Sequence, residues 1–116
     1  MRVLICGDRN WTDLESIRCH VNALPEGTVV IEGDCRGADR MAGIAARERG
    51  LTVEVYPADW NQYGKRAGYL RNTQMLVEGK PDLVLAFHHD ILQSKGTAMM
   101  VKIAQTAGVQ TVVYNK

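Results

Sequence analysis

The sequence lacks any apolar run long enough to cross a bilayer, any excess of charge of one sign and any metal-type cysteine spacing. Its 14 Lys and Arg are balanced by 13 Asp and Glu, so the net charge is +1, and the cations are scattered along 116 residues. This balance makes nucleic acid an improbable partner. The missing apolar run excludes a membrane-spanning helix, and the opening MRVLICGD is too short and too polar for a signal peptide.

The residues that could hold a metal are few and poorly arranged. Cys6, Cys19 and Cys35 are odd in number and irregularly spaced, so we expect reduced thiols and a cytoplasmic protein. The segment 88–90 reads His-His-Asp, but adjacent side chains rarely converge on one ion. We therefore expect no metal and no cofactor.

Short apolar runs alternate with helical segments over the whole chain, and no linker divides it. We expect strands at 2–6, 28–32, 51–56, 82–87 and 109–114. A first helix would begin at Thr12, which forms a capping box with Glu15. The other expected segments are a helix at 37–49, a loop at 57–66, a helix ending at Glu78, a loop at 88–96 and a helix at 97–108.

Five strands that alternate with four helices predict a single α/β domain over residues 1–116. Right-handed crossovers lead to a doubly wound parallel sheet with helices on both faces, and we choose the strand order 3-2-1-4-5. Ligands of such sheets bind at the carboxyl ends of the strands, beside the point where the order reverses. The loops that follow the first four strands therefore carry the candidate site.

The loop after the first strand reads GDRNW. Gly7 would let the chain turn sharply or approach a ligand, Arg9 could pair with a phosphate, and Trp11 could stack on a base or ribose. In the alternative interpretation, Trp11 packs over the first helix and Arg9 pairs with a neighbouring aspartate. The sequence leaves both interpretations open.

The turn after the second strand reads GDCRGAD. Gly33 and Gly37 remove side chains where the strand passes into a helix, whose free N–H groups would bind an anion with help from Arg36. Asp34 and Asp39 also point into this turn, and Asp39 could cap the helix or accept a hydroxyl. The alternative is an ordinary strand–helix turn, because the dinucleotide fingerprint and the P-loop Lys-Ser/Thr are both incomplete.

Two further loops would meet this site. The long segment 57–72 is unusually rich in aromatic and cationic side chains, which suggests either a ligand-binding loop or a stabilising lid. These side chains are Trp60, Tyr63, Lys65, Arg66, Tyr69 and Arg71. The last helix opens at Gly96 and Thr97, where Thr97 could cap the helix or bind a phosphate oxygen.

Four motifs in order, GDRNWTD, GDCRGAD, PADWNQYGKRAGYLRNTQM and GTAMM, resemble the short YspA or cpYpsA-related branch of the SLOG superfamily. The resemblance implies a Rossmann-like fold that binds a nucleotide or a nucleotide-derived molecule as a sensor or a sequestering protein. Its relatives include DprA-type DNA-processing proteins and the LOG phosphoribohydrolases, so an N-glycosidase acting on nucleoside monophosphates is the alternative. Oligomers are common in this superfamily.

The match departs from the LOG pattern PGGxGTxxE, because Met100 stands where that motif has its catalytic glutamate. Arg71 and Asn72 match the "RN" segment of the family, and a carboxylate such as Asp39 or Asp59 would have to replace the glutamate. We therefore favour binding over hydrolysis, with Arg71 and Asp39 as candidate catalytic residues. Apolar faces on the segments DRMAGIAA and TAMMVKIA further predict a homodimer or a larger homo-oligomer.

Overall fold

Five parallel strands form one sheet in the order β3-β2-β1-β4-β5 in the computed structural model, which describes residues 1–115. The strands are β1 at Arg2–Gly7, β2 at Val29–Glu32, β3 at Thr52–Val55, β4 at Leu83–Phe87 and β5 at Gln110–Tyr114. This result confirms the predicted order and the parallel sheet. The order reverses between β1 and β4, which are paired from Val3 with Leu83 to Gly7 with Phe87.

Helices cover both faces of this sheet, as predicted. The helices are α1 at Leu14–Asn22, α2 at Ala38–Glu48, α3 at Trp60–Tyr63, α4 at Ala67–Gly79 and α5 at Gly96–Thr106. On one face, α1 and α2 bury alanines and aliphatic side chains around Trp11 and Phe87. On the other face, α4 and α5 contribute Met75 and Met100 to a second cluster with Leu4. No helix within residues 1–115 has both the length and the apolar character needed to cross a membrane.

Three local expectations are wrong. The expected loop at 88–96 contains a short 3₁₀ helix at Ile91–Gln93. Helix α1 is capped by Asp13 rather than by Thr12, because the Asp13 carboxylate accepts the Ser16 N–H at 3.2 Å. The segment 57–66 is not wholly a loop. Asp59 accepts the Gln62 N–H and starts the short helix α3, and a 3₁₀ turn at Gly64–Arg66 joins it to α4.

The amino ends of the strands are held together by Arg2. Its guanidinium donates to the carbonyl of Gly79 at 2.6 Å and pairs with Glu54 on β3, also at 2.6 Å. Its backbone N–H donates to Asp82 at 2.8 Å, just before β4. One side chain on β1 therefore connects two other strands and the end of α4 at the edge opposite the candidate site.

Candidate functional site

A cavity of about 550 Å³ opens at the carboxyl edge of the sheet. This volume is within the usual range for small-molecule sites. Its walls come from the loop after β1, the β2–α2 turn, the segment from α3 through α4, and the first turn of α5. Ten of the side chains or glycines expected from the sequence line it: Gly7, Arg9, Asp39, Trp60, Lys65, Tyr69, Arg71, Asn72, Gly96 and Thr97.

Arg71 is the buried cation of this cavity. It lies on α4 with only 8 % of its surface exposed. Its guanidinium donates to the carbonyl of Gly33, to Oδ1 of Asn72 at 3.0 Å and to Sγ of Cys35 at 3.3 Å. Three of its five donors are thus used within the protein, and two remain for a ligand.

Asn72 links Arg71 to the opposite wall. Its carbonyl oxygen accepts from Arg71, and its amide nitrogen donates to the carbonyl of Gly96 at 3.1 Å. A continuous chain of hydrogen bonds therefore runs from the β2–α2 turn, through α4, to the first residue of α5. This chain fixes the two walls of the cavity relative to each other.

Asp39 is a buried carboxylate that also lines the cavity. It accepts the N–H of Cys35 at 3.3 Å from within the β2–α2 turn. Burial raises the pKa of Asp39 to about 6, although the nearby Arg71 charge and the N–H groups of Cys35 and Gly33 favour the ionised form. The side chain therefore changes protonation close to neutral pH, and it can accept or donate a hydrogen bond to a ligand.

Glu32 is a second buried carboxylate, which the sequence interpretation missed. It ends β2 with 3 % of its surface exposed and accepts the Asp34 N–H at 2.8 Å. Burial, together with the charges of Asp39 and Asp34, raises the pKa of Glu32 to about 7. The side chain does not line the cavity. Glu32 could have been found from the sequence, because it is a charged residue at the end of an otherwise apolar strand.

The β2–α2 turn is not the open phosphate cradle that its glycines suggested. Gly33 leaves room for Arg71, and a Cβ on Gly37 would lie 2.4 Å from the carbonyl oxygen of Asp8. The Asp39 carboxylate already occupies the N–H groups of the turn. Protein groups therefore fill the space where an anion was expected.

Asp34 and Arg36 also lie outside the cavity lining. Asp34 is exposed and pairs with Arg40 at 3.3 Å. Arg36 is exposed and donates to the backbone carbonyl of Arg9 and to Asn10. Asp34 is therefore engaged on the surface, and Arg36 supports two residues of the cavity lining, Arg9 and Asn10, without lining the cavity itself.

Trp11 belongs to the core rather than to the site. It is 1 % exposed, and its indole N–H donates to the carbonyl of Asp13 at 2.9 Å. One face stacks on His89 with ring centres 4.3 Å apart, and Phe87 meets it edge to face at 5.6 Å. Of the two open interpretations, packing is the one that the structure supports, since no free face remains for a base.

Ser94, rather than Thr97, caps helix α5. Its hydroxyl oxygen accepts the N–H groups of Thr97 at 3.0 Å and of Ala98 at 3.2 Å. Thr97 is 8 % exposed and lines the cavity beside Gly96. Its side chain therefore stays available as a ligand contact, while two of the helix N–H groups are already satisfied.

Met100 forms part of the cavity floor. It is fully buried in the cluster that contains Met75 and Leu4. The thiol of Cys6 also lines this floor, and burial raises its pKa well above the ordinary range. The position that holds a glutamate in the LOG pattern is therefore apolar here, and the neighbouring thiol is a poor nucleophile.

The rim is aromatic and cationic. Trp60 is 53 % exposed and packs over Gly68, where an added Cβ would lie 3.3 Å from its ring. Tyr69 lines the same side and is also exposed. Lys65 and Lys95 complete the rim from either side. The arrangement presents a free indole face beside flexible positive charges.

The two adjacent histidines point in different directions. His88 lines the cavity, with Nε2 at 4.0 Å from the carboxylate of Asp8. His89 instead stacks on Trp11 outside the cavity. Among residues 1–115, no group of three or more His, Cys, Asp or Glu could hold a metal ion.

Several lining residues were not singled out from the sequence. They include Asp8, Asn10, Ser94 and Lys95, which lie next to or near site residues that the sequence did predict. Each lies in a loop directly after a central strand or directly before a helix. That position was the available signal, because loops at the carboxyl edge of such a sheet converge on one site.

Comparisons with known proteins give a family and a fold. The sequence model of the family described as "YspA, cpYpsA-related SLOG family" matches residues 1–63. The "Gene 61 protein" of Mycobacterium phage D29 is 37 % identical over 120 residues, which cover 96 % of this chain and 94 % of that protein.

The structure of DNA processing protein A (DprA) from Streptococcus pneumoniae has a TM-score of 0.73 with this chain at 16 % sequence identity. The match covers 97 % of this chain but 49 % of that one, so the chain corresponds to about half of DprA. At this identity the likeness shows a shared fold.

Proposed function

The chain belongs to the YspA, cpYpsA-related SLOG family, and from this premise we propose that it binds a nucleotide or a nucleotide-derived small molecule in the cavity. The observation that carries the proposal is the buried Arg71 guanidinium, which lines the cavity with two free donors beside Asp39. Arginine forks are suited to phosphate, and a carboxylate is suited to a ribose hydroxyl.

The rim supports the other end of such a ligand. Trp60 offers an exposed indole face at the cavity edge, and Tyr69 lies beside it. Base–aromatic stacking contributes about 1–3 kcal/mol for each base. In the proposed complex, the base contacts Trp60 while the phosphate contacts Arg71, Gly96 and Thr97.

We propose that the ligand is held intact, as in a sensor or a sequestering protein. Met100 places a thioether on the cavity floor, where the related hydrolases carry a glutamate. A thioether cannot activate water or stabilise an oxocarbenium-like centre. Binding of an intact ligand is therefore better supported than its hydrolysis.

Asp39 favours a second candidate, a phosphoribohydrolase. With its pKa raised to about 6, Asp39 is mostly ionised at neutral pH and could take a proton from water that attacks the ribose C1′. The departing base would take up the proton. This candidate is tested by incubating the protein with nucleoside monophosphates and following the release of free base, with Asp39→Asn as the inactive control.

The direct test of binding begins with the molecule that co-purifies. The protein is denatured, and the released small molecules are identified by mass spectrometry. Titration calorimetry then compares the wild type with Trp60→Ala and with Tyr63→Ala, a matched control on α3 whose exposed ring lies outside the cavity lining. We expect only Trp60→Ala to weaken binding. No bound molecule and no heat from a panel of nucleotides would overturn the proposal.

A further inference from the structure

Three exposed cations surround the mouth of the cavity, and each comes from a different part of the chain. Arg9 follows β1, Lys65 lies in the 3₁₀ turn before α4, and Lys95 directly precedes α5. Together with buried Arg71, four cationic side chains line a cavity that contains the carboxylates of Asp8 and Asp39. The cavity therefore has an excess of two positive charges, although the net charge of the whole chain is only +1.

The mouth cations also lack protein partners. Within residues 1–115, none of the ion pairs involves Arg9, Lys65 or Lys95. By contrast, Arg18 pairs with Glu48 and Arg40 pairs with Asp34. Unpaired like charges around one opening repel each other, and a bound anion relieves that repulsion.

Protein groups already occupy several backbone donors at the cavity. Asp39 accepts the N–H of Cys35 in the β2–α2 turn, and Ser94 accepts two N–H groups at the start of α5. The charge available to phosphate groups beyond the one near Arg71 therefore comes from the side chains at the mouth.

We infer that the ligand carries a chain of two or more phosphates, as a nucleoside di- or triphosphate does, and that Arg9, Lys65 and Lys95 hold the outer phosphates. This inference rests on the proposed function, since it specifies the ligand of the same cavity. A single phosphate balances the excess charge of the cavity as a whole, but it bonds only to the cations beside it and leaves the other exposed cations of the mouth without a partner. Each added phosphate supplies a charged partner for those cations.

The test is calorimetric titration with AMP, ADP and ATP, and with GMP, GDP and GTP, without divalent metal. We expect affinity to rise about 10-fold with each added phosphate at about 50 mM salt, and by less at about 200 mM salt. Lys65→Ala and Lys95→Ala should weaken triphosphate binding more than monophosphate binding, so that the preference for triphosphate over monophosphate falls several-fold. Arg66→Ala is the matched control, because Arg66 is the exposed neighbour of Lys65 and does not line the cavity.

The outcomes separate the inference from the proposed function. Equal affinity for mono-, di- and triphosphates, or equal losses for all of them in Lys65→Ala and Lys95→Ala, would overturn the inference and leave nucleotide binding in place. Absence of binding by every nucleotide would overturn both. Tighter binding of an oligothymidylate than of ATP would also overturn it, in favour of single-stranded nucleic acid.

Discussion

The backbone of Gly33 touches the guanidinium of Arg71 so closely that a Cβ on Gly33 would lie 2.6 Å from Nη1. The carbonyl of the same glycine accepts a hydrogen bond from that nitrogen. The absence of a side chain at Gly33 therefore lets Arg71, 38 residues further along the chain, pack directly against the backbone. The arginine is held in the cavity before any ligand arrives.

Gly33→Ala is expected to displace Arg71 and to disturb its bonds to Asn72 and Cys35. Overpacking of a filled site typically costs about 1–3 kcal/mol, so we expect the free energy of unfolding to fall by that amount. Urea denaturation measures the loss. Gly96→Ala is the control, since a Cβ there meets no atom within 4 Å. Equal stability of Gly33→Ala and wild type would contradict the close packing of Arg71 against Gly33.

Stability should fall as the pH rises from about 4.5 to about 7. Burial raises the pKa of Glu32 to about 7 and that of Asp39 to about 6, so the folded chain binds protons that the unfolded chain has released. The slope of the unfolding free energy against pH is therefore negative in this window. Asp39 contributes mainly between about pH 4 and 6 and Glu32 between about pH 4.5 and 7, and each lowers stability by at most about 3 kcal/mol.

Glu32→Gln tests this pH dependence. It should raise the free energy of unfolding at about pH 7.5 by about 1–3 kcal/mol and flatten the slope, because the amide can still accept the Asp34 N–H without carrying charge. Urea denaturation at several pH values measures both effects. Glu26→Gln, an exposed acid outside the site, serves as the control. An unchanged slope in Glu32→Gln would show that Glu32 is not the responsible group.

Trp60 should report ligand binding by fluorescence. It is 53 % exposed at the cavity rim, whereas Trp11, the other tryptophan in the sequence, is 1 % exposed in the core. A stacked base should quench the Trp60 emission and shield it from acrylamide. The signal should disappear in Trp60→Phe, and quenching by ADP that persists in this variant would place the base elsewhere.

Cys35 should be protected from alkylation by a bound nucleotide. Its thiol lines the cavity and accepts from Arg71 at 3.3 Å, whereas Cys19 is exposed on α1 away from the site. Mass spectrometry after iodoacetamide treatment should show slower labelling of Cys35, and not of Cys19, when ADP is present. Equal labelling of Cys35 with and without ADP would argue against occupancy of this cavity.

Self-association remains a prediction, but its surface must be revised. The alanines of DRMAGIAA are buried in this protomer, as are Met100 and Ala104 of α5. Ile44 of that segment is nevertheless exposed, and further exposed apolar side chains lie on α4, where Leu70 and Val77 are seven residues apart on one side of the helix. Light scattering should show a dimer that Val77→Lys weakens, and a monomeric wild type would end the prediction.

The fold could be predicted because its signals are local and mutually consistent. Apolar runs such as RVLIC and DLVLAF alternate with helical segments, and right-handed crossovers then leave few possible strand orders. The errors lie where two local choices have similar free energies. Thr12 and Asp13 are both good capping residues, and the stretch that contains Gly64 has too few apolar residues to show a helical period.

The site could be predicted only in part, because its details depend on distant contacts. Arg71, Asp39 and Trp60 lie in loops or helix starts that the topology brings to one edge, so their position follows from the fold. The role of Gly33 depends on α4, and the burial of Trp11 depends on Phe87 and His89 after β4. The position of a residue in the sequence does not indicate which distant side chain packs against it, as Arg71 does against Gly33.

The contacts of Arg2 stabilise the end of the sheet that lies opposite the candidate site. Its bonds to Glu54, Gly79 and Asp82 hold the amino ends together, while the lining residues of the cavity belong to the carboxyl ends of the strands and to the loops and helices that follow them. The two ends can therefore be engineered independently. A redesigner could exchange the loops around the mouth to recruit a different ligand, while the brace at Arg2 preserves the scaffold that carries them.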